Sequence, residues 1–321
     1  MIKIVFLCVV AISQIWASPL ARLYQTKGID AVELALEDRL QGVEYWREVI
    51  AEKGVSLGYY EGSPLVVVVN KSKKSLKVYD PKVDDGKELL NHEIITGLAG
   101  DKQKEGDLKT PIGVYNLVKR FVPGDPFYGQ IAYALSYPNV LDKQQGKTGH
   151  GIWIHGHPLN NTPRYTKNTE GCIVMTNDLL EVFDRDLKGK KGIVITSENG
   201  LPRVDKATME ELLSQIFQWR NSWKYSDIKK YLEFYHEDFK RFDGDNLSEF
   251  SQMKKLIFSR KEDKKILFQD LAVIPYPDEQ YESMFRVSYY QIYETKNHQF
   301  RGEKEIYLTF KDNQMKILVE R

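Results

Sequence analysis

Cysteine is nearly absent: Cys8 and Cys172 are the two in 321 residues, too few for a disulfide framework. A dominant charge sign is missing as well. The formal net charge is +1, and no basic stripe interleaved with aromatics runs along the chain, so the field that nucleic acid or anionic lipid needs is not there. No nucleic-acid partner is expected. Long apolar runs are missing except at the start, where Lys3 precedes the apolar residues 4–12 and Ala17 and Ser18 precede Pro19. That run is shorter than the ~20 residues of a membrane span and has the layout of a secretory signal, residues 1–18, with the small-residue cleavage point after Ala17. An uncleaved anchor is the lesser alternative. Cys8 lies inside the run and leaves with it, so the mature chain is expected to be soluble, periplasmic and to carry one thiol, Cys172. In an oxidising compartment a lone thiol is a liability unless it is used.

What is present divides the chain into three stretches. Residues 30–52 have the spacing of one amphipathic helix, with Asp30 as N-cap, Glu33 three residues on, and Val32, Leu36, Leu40, Val43, Trp46 and Ile50 as the apolar stripe. That stripe requires a cover, either the same chain or a second copy in a homodimer, and residues 19–60 form the expected N-terminal helical segment. Residues 61–200 read as β-rich: a hairpin from 65–69 and 76–79, strands near 94–97, 114–118, 132–137 and 151–155, a short helix over 177–187 capped near Thr176, and a closing strand at 192–196. The loop from Gly100 to Gly113 carries glycines and Lys109-Thr110, but it lacks the Walker spacing and no helix follows, so phosphate binding is set aside.

Beyond Pro202 the texture changes. Helices are expected over 206–223, 227–239 and 247–259, followed by strands near 266–274, 284–293, 303–310 and 315–319. From Arg203 onward there are 21 basic and 21 acidic residues, so this unit is neutral. Phe217, Trp219, Trp223, Tyr231 and Phe234 fall at helical spacing and read as core. The overall class is multidomain α+β.

The chemistry concentrates between Gly151 and Met175. His155 and His157 stand two apart on a predicted strand and so on one face, with Gly156 between them allowing close backbone approach. Seventeen residues later comes Cys172, preceded by Thr169-Glu170-Gly171. An imidazole beside a thiol draws its proton and lowers a free pKa near ~8.5, which predicts a thiolate at neutral pH. Gly171 leaves backbone N–H groups near the sulfur to stabilise an oxyanion. These are the parts of an acyl-transfer site, and the chemistry calls for no cofactor or metal.

His155-Gly156, Thr169-Glu170-Gly171-Cys172-Ile173 and the upstream Gly100-Asp101-Lys102, Gly106-Asp107 and Lys109-Thr110-Pro111-Ile112-Gly113-Val114-Tyr115, in this order, resemble the L,D-transpeptidase (YkuD-like) catalytic domain. The resemblance implies an envelope enzyme whose partner is the peptidoglycan stem peptide. Cys172 would attack the carbonyl at position three of a tetrapeptide stem and expel the terminal D-alanine. His155 would be the base, oriented by the backbone carbonyl of Gly156. The acyl group then passes to water, trimming the stem to a tripeptide, or to an amine, forming a crosslink. Thr169, Glu170, Gly171, His157 and Arg164 are the expected substrate-side groups. The commoner family pattern reads Ser-His-Gly-Cys with Arg two residues on; here Glu170 and Val174 replace that His and Arg. Arg164 is a candidate replacement for the carboxylate contact, since guanidinium binds carboxylate bidentately.

These departures, with the neutral α+β unit at 203–321, resemble the cell-shape branch of the family, L,D-carboxypeptidases with a C-terminal domain similar to nuclear transport factor 2. Such a domain has a concave pocket suited to glycan, peptide or a protein partner, and a purely structural role competes with that. Two readings from other classes stand beside this one: a zinc hydrolase using His155, His157 and Cys172 or Glu170, and a silent envelope binding module.

Overall fold

The computed structural model describes residues 18–81, 87–159, 167–278, 281 and 283–321. The signal-like residues 1–17 and Arg164 lie outside the described residues. No described helix is long and apolar enough to cross a membrane.

The chain opens with helices α1 (Ser18–Lys27), α2 (Ile29–Leu40) and α3 (Val43–Ile50). The single helix expected over 30–52 is therefore two. Asp30 lies inside α2, whose N-cap is Gly28, and Gly42 takes an extended conformation as the N-cap of α3. Glycine lowers the cost of leaving the helix at that point, and Trp46 Nε1 donates to the freed Leu40 carbonyl at 2.8 Å. The break lets α3 lay Trp46 and Ile50 into the C-terminal core in the same chain. Further bonds tie α2 to that unit: Glu37 pairs with Arg220 and, at 2.8 Å, with Lys224.

Next come β1 (Tyr59–Tyr60), β2 (Leu65–Asn70), β3 (Ser75–Asp80), β4 (Lys87–Glu93), β5 (Gly113–Phe121), β6 (Ala132–Leu135), helix α4 (Val140–Gln144), β7 (Trp153–His155), β8 (Ile173–Val174), helix α5 (Asn177–Leu187) and β9 (Gly192–Ser197). Among the described residues eight of these strands form one sheet in the order β4-β3-β2-β9-β5-β6-β7-β8. The strand expected to close the domain, β9, instead sits at the centre, parallel to β2 and antiparallel to β5. All six of its residues are buried, as a strand covered on both faces requires. Helix α5 packs Leu180, Phe183 and Leu187 under one face, against Tyr133, Leu135, Ile154 and Ile173.

The rest comprises α6 (Lys206–Lys224), α7 (Ile228–Glu233), β10 (Tyr235–Arg241), α8 (Leu247–Ser259), β11 (Lys265–Pro275), β12 (Met284–Glu294), β13 (Gln299–Lys311) and β14 (Gln314–Glu320). The second sheet runs β1-β11-β12-β13-β14-β10, so residues 59–60, N-terminal to the catalytic sheet, complete the C-terminal one. The expected helix over 227–239 stops at Glu233 and continues as β10. Tyr231, Tyr235 and Phe239 are four apart, a spacing that fits a helix face and, being even, a strand face equally. Phe217, Trp219, Trp223, Tyr231 and Phe234 are core, as their spacing predicts. Between the two sheets, Arg286 reaches Asn116 at 3.1 Å and Asn139 reaches the Tyr276 hydroxyl at 3.1 Å.

Candidate active site

β7 and β8 are parallel neighbours with Ile154 opposite Ile173 and His155 opposite Val174. Extending that register by one puts Trp153 opposite Cys172, and side chains in register on parallel strands share a face. Cys172 and His155 therefore lie on one face of adjacent strands, two residues out of step. The strand ends at His155, so the two-residue alternation no longer applies to His157, which belongs to the following loop.

His155 is fully buried. Its Nδ1 lies 2.8 Å from the Gly156 carbonyl; that oxygen can only accept, so Nδ1 carries the proton and Nε2 is left as the basic nitrogen. Among the described residues Nε2 has no hydrogen-bond partner. Burial pushes the imidazole down to about 4, opposed by the Gly156 bond and assisted by His157. The half-buried thiol of Cys172 donates to the Gly151 carbonyl at 3.5 Å. Burial pushes it up to about 11; the Trp153 backbone N–H and Lys102 pull the other way and Glu170 pushes with burial. Burial penalises the charged form of each group, which weighs against the resting thiolate expected from the sequence.

The turn before the cysteine is held from beneath. Thr169 is buried, its Oγ1 donating to the Cys172 carbonyl at 2.6 Å and accepting the Gly171 N–H at 3.1 Å. That N–H is engaged within the turn. Gly171 serves sterically: at φ +129° a Cβ would sit 2.9 Å from the Lys109 carbonyl. The glycine-rich loop set aside as a phosphate site is this support. Thr169 N–H donates to the Thr96 carbonyl at 2.9 Å, Ile95 and Val174 exchange backbone bonds, and Gly97 N–H donates to Thr110 Oγ1 at 2.8 Å. Inside the loop Asp107 accepts from Lys102 Nζ at 2.7 Å and from the backbone N–H groups of Gln103, Lys104 and Lys109, which hold its carboxyl below the usual range against the cost of burial.

Of the remaining expected residues, Glu170 is exposed at the mouth and His157 is half-buried, its carbonyl accepting from Asn177 Nδ2 at 3.2 Å. Val174 is buried and paired with Ile95, so the position of the commoner arginine is sheet interior. Gly156 is required by packing, since a Cβ there would meet Asn177 Oδ1 at 2.0 Å. Sequence reasoning did not assign Tyr128, Trp153 or Asn177 to the site. The Tyr128 ring stands edge-on to His155 at 5.1 Å and to Trp153 at 5.0 Å. The available signal was the register of Trp153 with Cys172. Among the described residues no group of three or more His, Cys, Asp or Glu is arranged to hold a metal ion.

The solved structure of the helical cell shape determining protein Pgp2 from Campylobacter jejuni is 46% identical to this chain, covers 88% of it and 99% of its own chain, and superposes with a TM-score of 0.82. The chain belongs to the Pgp2 family. The L,D-transpeptidase catalytic domain model matches residues 64–195, and the model of the Cds6 C-terminal NTF2-like domain matches residues 211–321. Bd1075 from Bdellovibrio bacteriovorus is 29% identical over 83% of this chain and 96% of its own, with a TM-score of 0.65. YafK of Escherichia coli strain K12, which carries the name of an L,D-transpeptidase, is 30% identical over 126 residues, 38% of this chain. The chain spans about half the length of that curated relative, 47%. This chain pairs an L,D-transpeptidase catalytic domain with an NTF2-like domain, and His155 and Cys172 both fall within the matched catalytic stretch.

Proposed function

We propose that this Pgp2-family chain is an exported, cysteine-dependent L,D-carboxypeptidase that removes the terminal D-alanine from peptidoglycan tetrapeptide stems and so acts in cell-wall remodelling and cell shape. The observation that carries the reading is the buried His155, with Nδ1 committed to the Gly156 carbonyl and Nε2, on the face that holds Cys172, without a partner among the described residues. With both groups neutral, attack and proton transfer are coupled. As Sγ bonds to the carbonyl carbon of the third stem residue, Nε2 takes the thiol proton and then delivers it to the amine of the departing D-alanine as the C–N bond breaks. Water attacks the thioester, Nε2 takes its proton, and the C–S bond breaks to return the thiol and the tripeptide.

Incubating the purified protein with tetrapeptide muropeptides tests it. Tripeptide and free D-alanine are the expected products. Accumulation of crosslinked dimer would make the protein a transpeptidase, and full activity after thiol alkylation would remove the cysteine mechanism.

A further inference from the structure

The sheet face that carries Cys172 continues away from it across three more strands. β6 pairs with β7 so that Ala134 faces Trp153 and Ala132 faces His155; β5 pairs with β6 so that Lys119 faces Ala134 and Phe121 faces Ala132. In line with Cys172 the face therefore reads Trp153, Ala134, Lys119, with Phe121 beside them. The opposite face of the same strands, with Arg120 and Tyr133, is taken up by Asp184 of α5. On the Cys172 face the half-buried rings of Phe121 and Trp153 meet edge to face at 4.9 Å, and Lys119 Nζ lies 5.7 Å from the Phe121 centroid. Ala134 is half-buried too, so its methyl leaves a shallow trough between Trp153 and the exposed Lys119. On the other side of Cys172 the β8 edge is closed by Ile95.

Resting on the proposed function, we infer that this trough is a subsite for the N-acetylated sugar on which the stem peptide hangs, with the corner where Phe121 and Trp153 meet edge to face as its aromatic platform and Lys119 as a hydrogen-bond donor. The length fits. Three strand spacings of ~4.8 Å separate Cys172 from β5, roughly 14 Å. From the attacked carbonyl back through three stem residues is roughly 10 Å, and the link to the sugar adds the remainder. The chemistry fits as well: the C–H faces of a pyranose ring stack on aromatic rings, and its hydroxyl and acetamide oxygens accept from a lysine. A tetrapeptide without its sugar would leave the platform uncovered.

The test uses the full chain with Cys172→Ala, which binds without turnover, and two ligands: disaccharide-tetrapeptide and the same tetrapeptide lacking sugar. The sugar-bearing ligand is expected to bind about tenfold more tightly, the scale of one good ring contact. Adding Phe121→Ala should bring the ratio of the two Kd values close to one, and Phe121→Tyr should keep it. Equal Kd values in the parent, or a ratio that survives Phe121→Ala, would overturn the inference, the latter placing sugar recognition elsewhere on the chain. Turnover by the wild-type protein is read separately: failure to form tripeptide counts against the carboxypeptidase reading, while the binding ratio alone decides whether the trough holds sugar.

Discussion

His155 and Arg220 are both buried basic side chains, and the protein treats them in opposite ways. Arg220 stays charged because Glu37 holds it, with Lys224 and Glu33 extending the network, although burial pulls its pKa down. Among the described residues His155 has its one hydrogen bond on Nδ1 and faces no carboxylate, and it is pushed down to about 4. A buried charge with partners fixes geometry; here it clamps α2 onto α6. A buried base left without a partner on Nε2 is free to take a proton when substrate brings one. Burial alone therefore does not mark a functional group; among the described residues what separates these two is the carboxylate, present at Arg220 and not at His155.

Breaking each half of this comparison should give different signatures. Cys172→Ala is expected to abolish tripeptide formation, a loss of roughly 10⁴-fold or more, with an unchanged thermal midpoint, and His155→Ala to cost roughly 10²- to 10⁴-fold together with a lowered midpoint, since it removes a buried ring and its bond to the Gly156 carbonyl. Muropeptide chromatography reads the first quantity and calorimetry the second. Glu37→Ala should do the reverse: leaving Arg220 buried and unpaired costs roughly 3–5 kcal/mol in urea unfolding, while turnover per folded molecule stays within about twofold of wild type, since no site group touches it. The third effect is smaller and depends on pH. His155 is depressed below its unfolded value, so the unfolded chain binds the proton first as pH falls. Stability present above about 6.5 is then lost progressively down to about 4, by roughly 3 kcal/mol. Unfolding curves at pH 7 and pH 4.5 should reveal this slope, and His155→Gln should remove that share of it.

The sequence carried the strand and helix spacings, the α+β class and the order of motifs, and it set His155 and Cys172 in one stretch, which the fold lays on one face of adjacent strands. It did not carry the break at Gly42, because the apolar stripe runs through it, nor β10, because an even spacing of Tyr231, Tyr235 and Phe239 serves helix and strand alike. The loop from Gly100 to Gly113 looked like a connection, yet its backbone sets the position of Gly171, a tertiary contact that no local pattern records. The protonation state is set by a similar tertiary effect. A Cys and a His in one site suggest an ion pair, and only burial, visible in the fold, reverses it.

The rate at which Cys172 is alkylated by iodoacetamide as pH varies tests the neutral-pair account most directly. Cys172 is the one cysteine that remains once residues 1–18 are removed. A thiol pushed up to about 11 should react about tenfold faster with each pH unit between 6 and 9, with no plateau in that range. A rate already at its plateau by pH 7 would mean a resting thiolate beside a protonated His155, and would contradict the account.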